Sequence, residues 1–369
     1  MKKRIVIDAT PLLYTENGIG RVTRSLVSEL IRIDTPVDFH IFGRRLQGQD
    51  LGRYFPDLPT THLRLPRCAE KTIRSCRLIE LLCQGDLYHA TDFYLPIANP
   101  AKCVATIHDT IFLNQPEKMV DHQRLKKWVR NFARKCSRII AVSEFSKQDI
   151  VRVLEIDPGK IDVVYCGVDS NTFFPESESD NIREQTVSLT GTNNPFFLAV
   201  SCSTGRKNTP LLLEAYDEFL CNNPKHDLVV VWNPPNEIRN KLATSRYSGR
   251  IHFTGRVDDK SLRILYNRAT AILYPSLYEG FGLPVIEAMS CGTPVITSNN
   301  SSLPEVGGDA AIYVDPLDKT SIIHALEIFE NNPLLAEELY DKCIRQAAKF
   351  TWERCARETL AVYLRCLES

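Results

Sequence analysis

Short apolar runs recur along this chain, each followed by turn residues and then by a stretch with helical spacing. In the first half, residues 4–8, 37–42, 86–89, 103–107, 138–142 and 161–165 read as buried strands. In the second half, residues 196–201, 227–232, 251–254, 271–274 and 294–297 do the same. Apolar positions three and four apart predict helices over 21–33, 144–154, 209–220, 334–349 and 352–367, with Ser143 as N-cap of the second. Strands alternating with helices predict mostly parallel sheets. The pattern lapses over 176–195, a polar stretch poor in core residues, which reads as a linker. The expected organisation is a domain over 1–175, that linker, a domain over 196–350, and a closing helical segment over 351–369.

Composition sets limits on this picture. A chain of 369 residues, 43% hydrophobic, suits two domains of roughly 150–200 residues each. No apolar run approaches the ~20 residues of a membrane span. The basic opening MKKRIVIDATPLL imitates a signal segment, but Asp8 and Pro11 break its apolar run, so it reads as the first strand. Twelve cysteines occur without any Cys-x-x-Cys. Those near helical periodicity, such as Cys136 and Cys291, read as buried thiols in a reducing cytoplasm, with no metal site among them.

The net charge is zero but unevenly placed. Residues 1–175 hold 26 Lys+Arg against 20 Asp+Glu, and the remainder 19 against 25. A basic first half and an acidic second half suggest that one half meets an anionic surface or acceptor; nucleic acid is not an expected partner. Residues 118–138 concentrate eight basic side chains and one acid, Asp121, around Trp128, Val129 and Phe132. This stretch reads either as a helix lying on an anionic membrane, making the protein cytoplasmic and peripheral at the inner face, or as a solvated face over an ordinary core stripe.

The candidate chemistry centres on residues 274–294, YPSLYEGFGLPVIEAMSCGTP. A short strand ends at Tyr274. Pro275, Ser276 and Gly280 break it, and a helix starts near Gly282 with Pro284 in its first turn. Gly280 and Gly282 let backbone approach a ligand, and the helix start, at Phe281, Gly282 and Leu283, offers N–H groups to phosphate. Glu279 and Glu287 flank this turn. Carboxylates repel phosphate, so they suit sugar hydroxyls instead. Anion at the backbone and diols at both acids describe a sugar nucleotide; a plain loop with both acids solvated is the other reading. Arg206 and Lys207 sit at another strand-to-helix turn, where cations oppose the helix dipole and a diphosphate would explain them.

These residues also carry a resemblance. EGFGLPVIEA, with CGTPV at 291–295, SSLPEVGGD at 301–309, TGRV at 254–257 and SEFS at 143–146, resembles the GT-B glycosyltransferases of family 4 over nearly the whole chain. The resemblance implies an α/β fold of two Rossmann-like, doubly wound parallel-sheet domains facing each other across a cleft, with the last helix crossing back to the first. It implies retaining transfer from a nucleoside diphosphate sugar to a glycan or lipid-linked acceptor. It places Gly18 and Gly20 in a glycine loop on the acceptor side and His108 of TIHDTIF near the transferred sugar; Asp109 follows His108 at the end of the strand 103–107, where open α/β sheets bind ligands, and reads as an acceptor-side residue. In the family, the Arg and Lys are often several residues apart; here they are adjacent on a short loop, which puts the larger share on Lys207.

The SSLPEVGGDAA stretch resembles bacterial mannosyltransferases of polysaccharide assembly, so GDP-mannose is the first expectation and a UDP-sugar the second. No Asp-x-Asp occurs, so neither metal nor cofactor is expected, and Lys207, Arg206 and backbone N–H must meet the diphosphate charge. A glycosidase would not need this cradle, and no motif for a pyridoxal phosphate lysine is present. An inactive sugar-nucleotide-binding protein would not need His108, Glu279, Lys207 and Glu287 together.

Overall fold

The structure is a computed structural model that describes residues 2–13, 18–45, 50–65, 69–114, 122–177, 179–203, 205–243 and 248–368. The chain forms two compact units, Met1–Gly167 with Trp352–Ser369, and Val168–Thr351. Both are parallel sheets with helices, because the central strands are apolar on both faces and need covering on each.

The sheet of the first unit comprises β1 (Lys3–Asp8), β2 (Val37–Arg44), β3 (Thr60–Leu63), β4 (Leu87–Ala90), β5 (Cys103–Ile107), β6 (Arg138–Ala141) and β7 (Ile161–Val163). Its order is β3-β2-β1-β4-β5-β6-β7, with parallel pairing throughout. Ile5, Val6 and Ile7 of β1 are wholly buried. Cys103 and Ala105 of β5 pack with Ile79, Tyr88 and Phe132, and Ile107 with Val129, Ile139 and Ile150. The helix Trp352–Glu368 packs on the helix Gly18–Leu30 of this unit. Tyr363 anchors it from within, its hydroxyl 2.6 Å from His89 Nδ1.

The second unit holds β8 (Phe196–Ala199), β9 (Asp227–Val230), β10 (Ile251–Phe253), β11 (Ala271–Tyr274), β12 (Val295–Ser298) and β13 (Ala311–Val314). Their order is β10-β9-β8-β11-β12-β13, again all parallel. The strand order reverses between β1 and β4 in one sheet and between β8 and β11 in the other. In open α/β sheets, crevices form at the carboxyl ends of strands at such reversals.

The structure corrects three expectations. The supposed linker contains the helix Asp180–Thr190, packed on the helix Asp259–Arg268 of the second unit. Its buried positions are Thr186 and Thr190, whose hydroxyls bond back to Ile182 and Thr186 carbonyls, so the helix lacks the apolar stripe that announces one. Gly18 and Gly20 open the helix Gly18–Leu30 rather than forming a loop ahead of it. The edge strands β3 and β13 were not anticipated: β3, TTHL, is half-buried and has no apolar run, whereas the apolar run AIYV of β13 was passed over. Of the basic stretch 118–138, residues 118–121 lie outside the described residues, and His122–Lys135 is helical.

Candidate functional site

The reversal between β8 and β11 brings two loops together. Ser201 and Asn208, with φ of 53° and 58°, bend the loop after β8 tightly. Asn208 Nδ2 donates to the carbonyls of Pro275 at 3.2 Å and Pro316 at 2.7 Å, and Leu277 N donates to Arg206 O at 2.7 Å. The loop after β8 is thereby stapled to the loop after β11.

The stapling converges three charges. Glu279 accepts from Arg206 Nη1 at 2.6 Å on one oxygen and from Lys207 Nζ at 2.7 Å on the other. Arg206 also donates to Tyr278 O, and Lys207 to the Tyr274 hydroxyl. Glu279 and Lys207 are largely buried, with side-chain exposures of 6% and 14%. Burial alone would raise the Glu279 pKa, but the Lys207 and Arg206 charges outweigh it and hold the carboxyl below its usual range. Burial lowers the Lys207 pKa, opposed by Glu279. The Tyr274 phenol is pushed far up by burial and then by the Glu279 charge, so it stays neutral. Arg206 is not turned outward on its short loop: it reaches Glu279, more exposed than Lys207 at 35% against 14%.

The turn after Glu279 is built as its glycines require. Gly282 has φ of +109°, and a Cβ there would lie 2.9 Å from Leu303 Cδ2. Pro284 sits in the first turn of the helix Leu283–Ser290. The Phe281 ring packs inward, edge-on to Phe350 at 5.6 Å, so only its backbone can serve a ligand. Glu287 is buried on that helix, and Tyr266 Oη donates to its Oε2 at 3.1 Å.

In the first unit, polar groups gather at the carboxyl ends of β1, β4 and β5. Asp8 is buried and accepts from Thr10 N at 2.9 Å and from the Thr10 hydroxyl; burial pushes its carboxyl up to about 6. Thr91 Oγ1 donates to Asp8 O at 2.5 Å, and His108 Nε2–H to Thr91 O at 2.9 Å. Asp92 is also raised by burial, with His108 opposing. Asp109 accepts from Ile111 N at 3.1 Å. His89 is different: it lies between Thr106 and Tyr363, and burial drives its pKa down to about 3, so it is a neutral core residue.

Lys207, Arg206, Glu279 and Gly280–Leu283 thus share the carboxyl-end loops of the second sheet, and His108 and Asp109 those of the first. Tyr274 and Asp8 were passed over in the sequence. Each is the last residue of a central strand next to an order reversal, and that order appears only in the folded sheet. Among the described residues, no group of three or more His, Cys, Asp or Glu is placed to hold a metal ion. Nor is any helix among them long and apolar enough to cross a membrane.

Comparison with known proteins gives a consistent picture. The family described as Glycosyltransferase Family 4 matches residues 16–172, and Glycosyl transferases group 1 matches residues 180–350. The chain is 31% identical to O-antigen chain mannosyltransferase B of Escherichia coli, over 98% of this chain and 99% of that protein. It is 30% identical to an MMP alpha-(1->4)-mannosyltransferase of Mycolicibacterium hassiacum over 62% of this chain and 55% of that one. Among solved structures, sucrose-phosphate synthase of Thermosynechococcus elongatus superposes with a TM-score of 0.79 at 19% identity, covering 98% of each chain. HepE of Anabaena, solved with UDP and glucose, superposes at 0.78 and 16% identity, covering 98% of this chain and 99% of that one.

Proposed function

The chain belongs to the group 1, family 4 glycosyltransferases, with the GT-B fold, and from that premise we propose that it moves mannose from GDP-mannose to a hydroxyl of a glycan or lipid-linked acceptor in cell-surface polysaccharide assembly. The transfer retains anomeric configuration and needs no metal. The observation that carries this reading is the convergence of Arg206 and Lys207 on Glu279 at the reversal between β8 and β11. The mannosyltransferase names of its relatives support the choice of sugar. A UDP-sugar is the second reading, favoured by the likeness to HepE, whose structure contains UDP and glucose.

Arg206 and Lys207 both bond to Glu279, so the cations for a diphosphate and the carboxylate for a sugar hydroxyl stand side by side. Glu279 takes a hydroxyl of the transferred sugar and stabilises the positive charge growing on its ring. As the bond from the anomeric carbon to phosphate oxygen breaks, charge builds on the leaving diphosphate, where Lys207 and Arg206 stabilise it. The acceptor oxygen bonds to the anomeric carbon on the same face and passes its proton to the departing phosphate. His108 is assigned to the transferred sugar and Asp109 to the acceptor.

Thermal shift with GDP, UDP and their sugars tests the donor, because a bound ligand raises the melting temperature by mass action. GDP and GDP-mannose should give the largest shifts, and turnover should survive EDTA. No shift with any of them, or activity lost to EDTA and restored by Mg²⁺, would refute the corresponding part of the reading.

Glu287 is assigned to the ribose hydroxyls. Glu287→Ala should weaken donor binding by ~1.5–3 kcal/mol, the worth of a hydrogen bond to a charged group. Tyr266→Phe, which removes only the hydroxyl bonded to Glu287 Oε2, should cost far less. Calorimetry showing equal donor affinity in wild type and Glu287→Ala would remove the ribose role.

Peripheral contact of the His122–Lys135 helix with an anionic membrane is part of the proposal. Arg130 and Arg134 both pair with Glu155, which leaves Lys126, Lys127 and Lys135 as the informative positions. Each basic residue near such a surface is worth about 1 kcal/mol, so Lys126→Gln, Lys127→Gln and Lys135→Gln together should weaken vesicle binding roughly a hundredfold. Turnover on a soluble acceptor analogue should persist. Equal vesicle sedimentation before and after would end the membrane assignment.

A further inference from the structure

The stretch SSLPEVGGD stood out in the sequence, and the donor reading leaves it without a task. The loop between β11 and the helix Leu283–Ser290 has no strand beside it, so its carbonyls need donors from elsewhere. One short segment, residues 298–302, supplies them. Ser298 Oγ donates to Ser276 O at 2.7 Å, and Asn300 Nδ2 to Leu277 O at 3.2 Å. Ser302 Oγ shares its proton between Phe281 O at 2.8 Å and Glu279 O at 3.0 Å. Ser301 Oγ accepts from Glu279 N at 3.2 Å. Ser298 and Ser302 are wholly buried.

The consequence follows from peptide geometry. In a planar trans peptide, a carbonyl and the next N–H point in opposite directions. With the Glu279 and Phe281 carbonyls turned to Ser302, the N–H groups of Gly280 and Gly282 point away from it. Leu303 backs the same turn, its Cδ2 filling the place where a Gly282 side chain would begin. We propose that Ser302, assisted by Ser301, is a positioning residue that aims the Gly280 and Gly282 amides at the donor diphosphate and fixes the backbone that carries Glu279. This rests on the donor reading above.

Two measurements test it. Hydrogen exchange on the ligand-free protein should show faster exchange of the amides of residues 280–283 in Ser302→Ala, with the strands of the second sheet unchanged. Calorimetry should show Ser302→Ala losing ~10-fold or more in affinity for whichever of GDP and UDP the wild type binds, since each misaimed amide is a hydrogen bond to a charged group. Affinity for the matching nucleoside, guanosine or uridine, should hold. Should Ser302→Ala fail to fold, Ser301→Ala carries the same pair of measurements.

Unchanged exchange over 280–283, or diphosphate and nucleoside affinities falling together, overturns the proposal. If the wild type binds neither GDP nor UDP, the donor reading fails and the positioning role falls with it. Exchange then still reports whether Ser302 holds the turn, so the two failures are told apart.

Discussion

Lys207→Ala should lower kcat by roughly two to three orders of magnitude, the usual cost of removing one preorganised charge stabiliser. The donor KM should rise by less. Diphosphate charge is greater in the transition state than in the bound donor, and only such a difference accelerates the reaction. The structure sharpens this expectation. Lys207 reaches the site between Glu279 and the Tyr274 hydroxyl, largely buried, so its ammonium is held in place by two partners. Lys207→Arg should rescue only in part, because a broad planar fork replaces a compact ammonium in that space. Arg206→Ala should cost nearly as much as Lys207→Ala, since Arg206 reaches the other Glu279 oxygen. Steady-state kinetics on the three variants, with circular dichroism to confirm folding, decide the matter. A folded Lys207→Ala enzyme with near-normal kcat would take Lys207 out of the mechanism.

Glu279→Gln should lower kcat by about a hundredfold or more, because the carboxylate facing the charged sugar ring is lost. Its second effect is on pH dependence. Lys207 must be charged to act, and burial already lowers its pKa while Glu279 opposes that shift; Arg206 lowers it and Cys202 raises it slightly. Removing the Glu279 charge lowers the Lys207 pKa further. Activity that depends on charged Lys207 is lost as pH rises through that pKa, so the alkaline limb of kcat/KM should move to lower pH in Glu279→Gln.

The same substitution strands two cations in a largely buried site, so the unliganded variant should melt at lower temperature. GDP or UDP supplies the missing negative charge and should raise Tm more in the variant than in the wild type. An unmoved alkaline limb together with an unchanged ligand-induced shift would show that Glu279 is not the counter-ion of Lys207.

The alternation of apolar runs and helical spacing by itself determined the fold class and most of the elements. Strands such as Cys103–Ile107 and Ala271–Tyr274 were legible because central parallel strands are buried on both faces and admit little but apolar side chains. Local chemistry was legible for a similar reason. Ser143 caps its helix as expected, accepting from Ser146 N at 2.9 Å, and Pro284 and Gly282 sit where backbone geometry demands them. The motif around Glu279 and Glu287, together with the four other blocks in order, placed the chain in its glycosyltransferase family.

What depends on partners distant in sequence was decided only by the tertiary structure. The edge strand β3 and the helix Asp180–Thr190 are half-buried or packed through threonine, so no apolar run marks them. Sheet order put Asp8 and Tyr274 beside the reversals, and sheet order is a property of pairing between distant strands. The meeting of Arg206 with Glu279 depends on contacts across more than 70 residues of chain, among them Leu277 N to Arg206 O. The aim of the Gly280 and Gly282 amides came from serines that approach the turn only after β12 has paired with β11. Periodicity and turn chemistry are local and can be read along the chain; which charges meet, and which way an amide points, are set by contacts that exist only once the second sheet has formed.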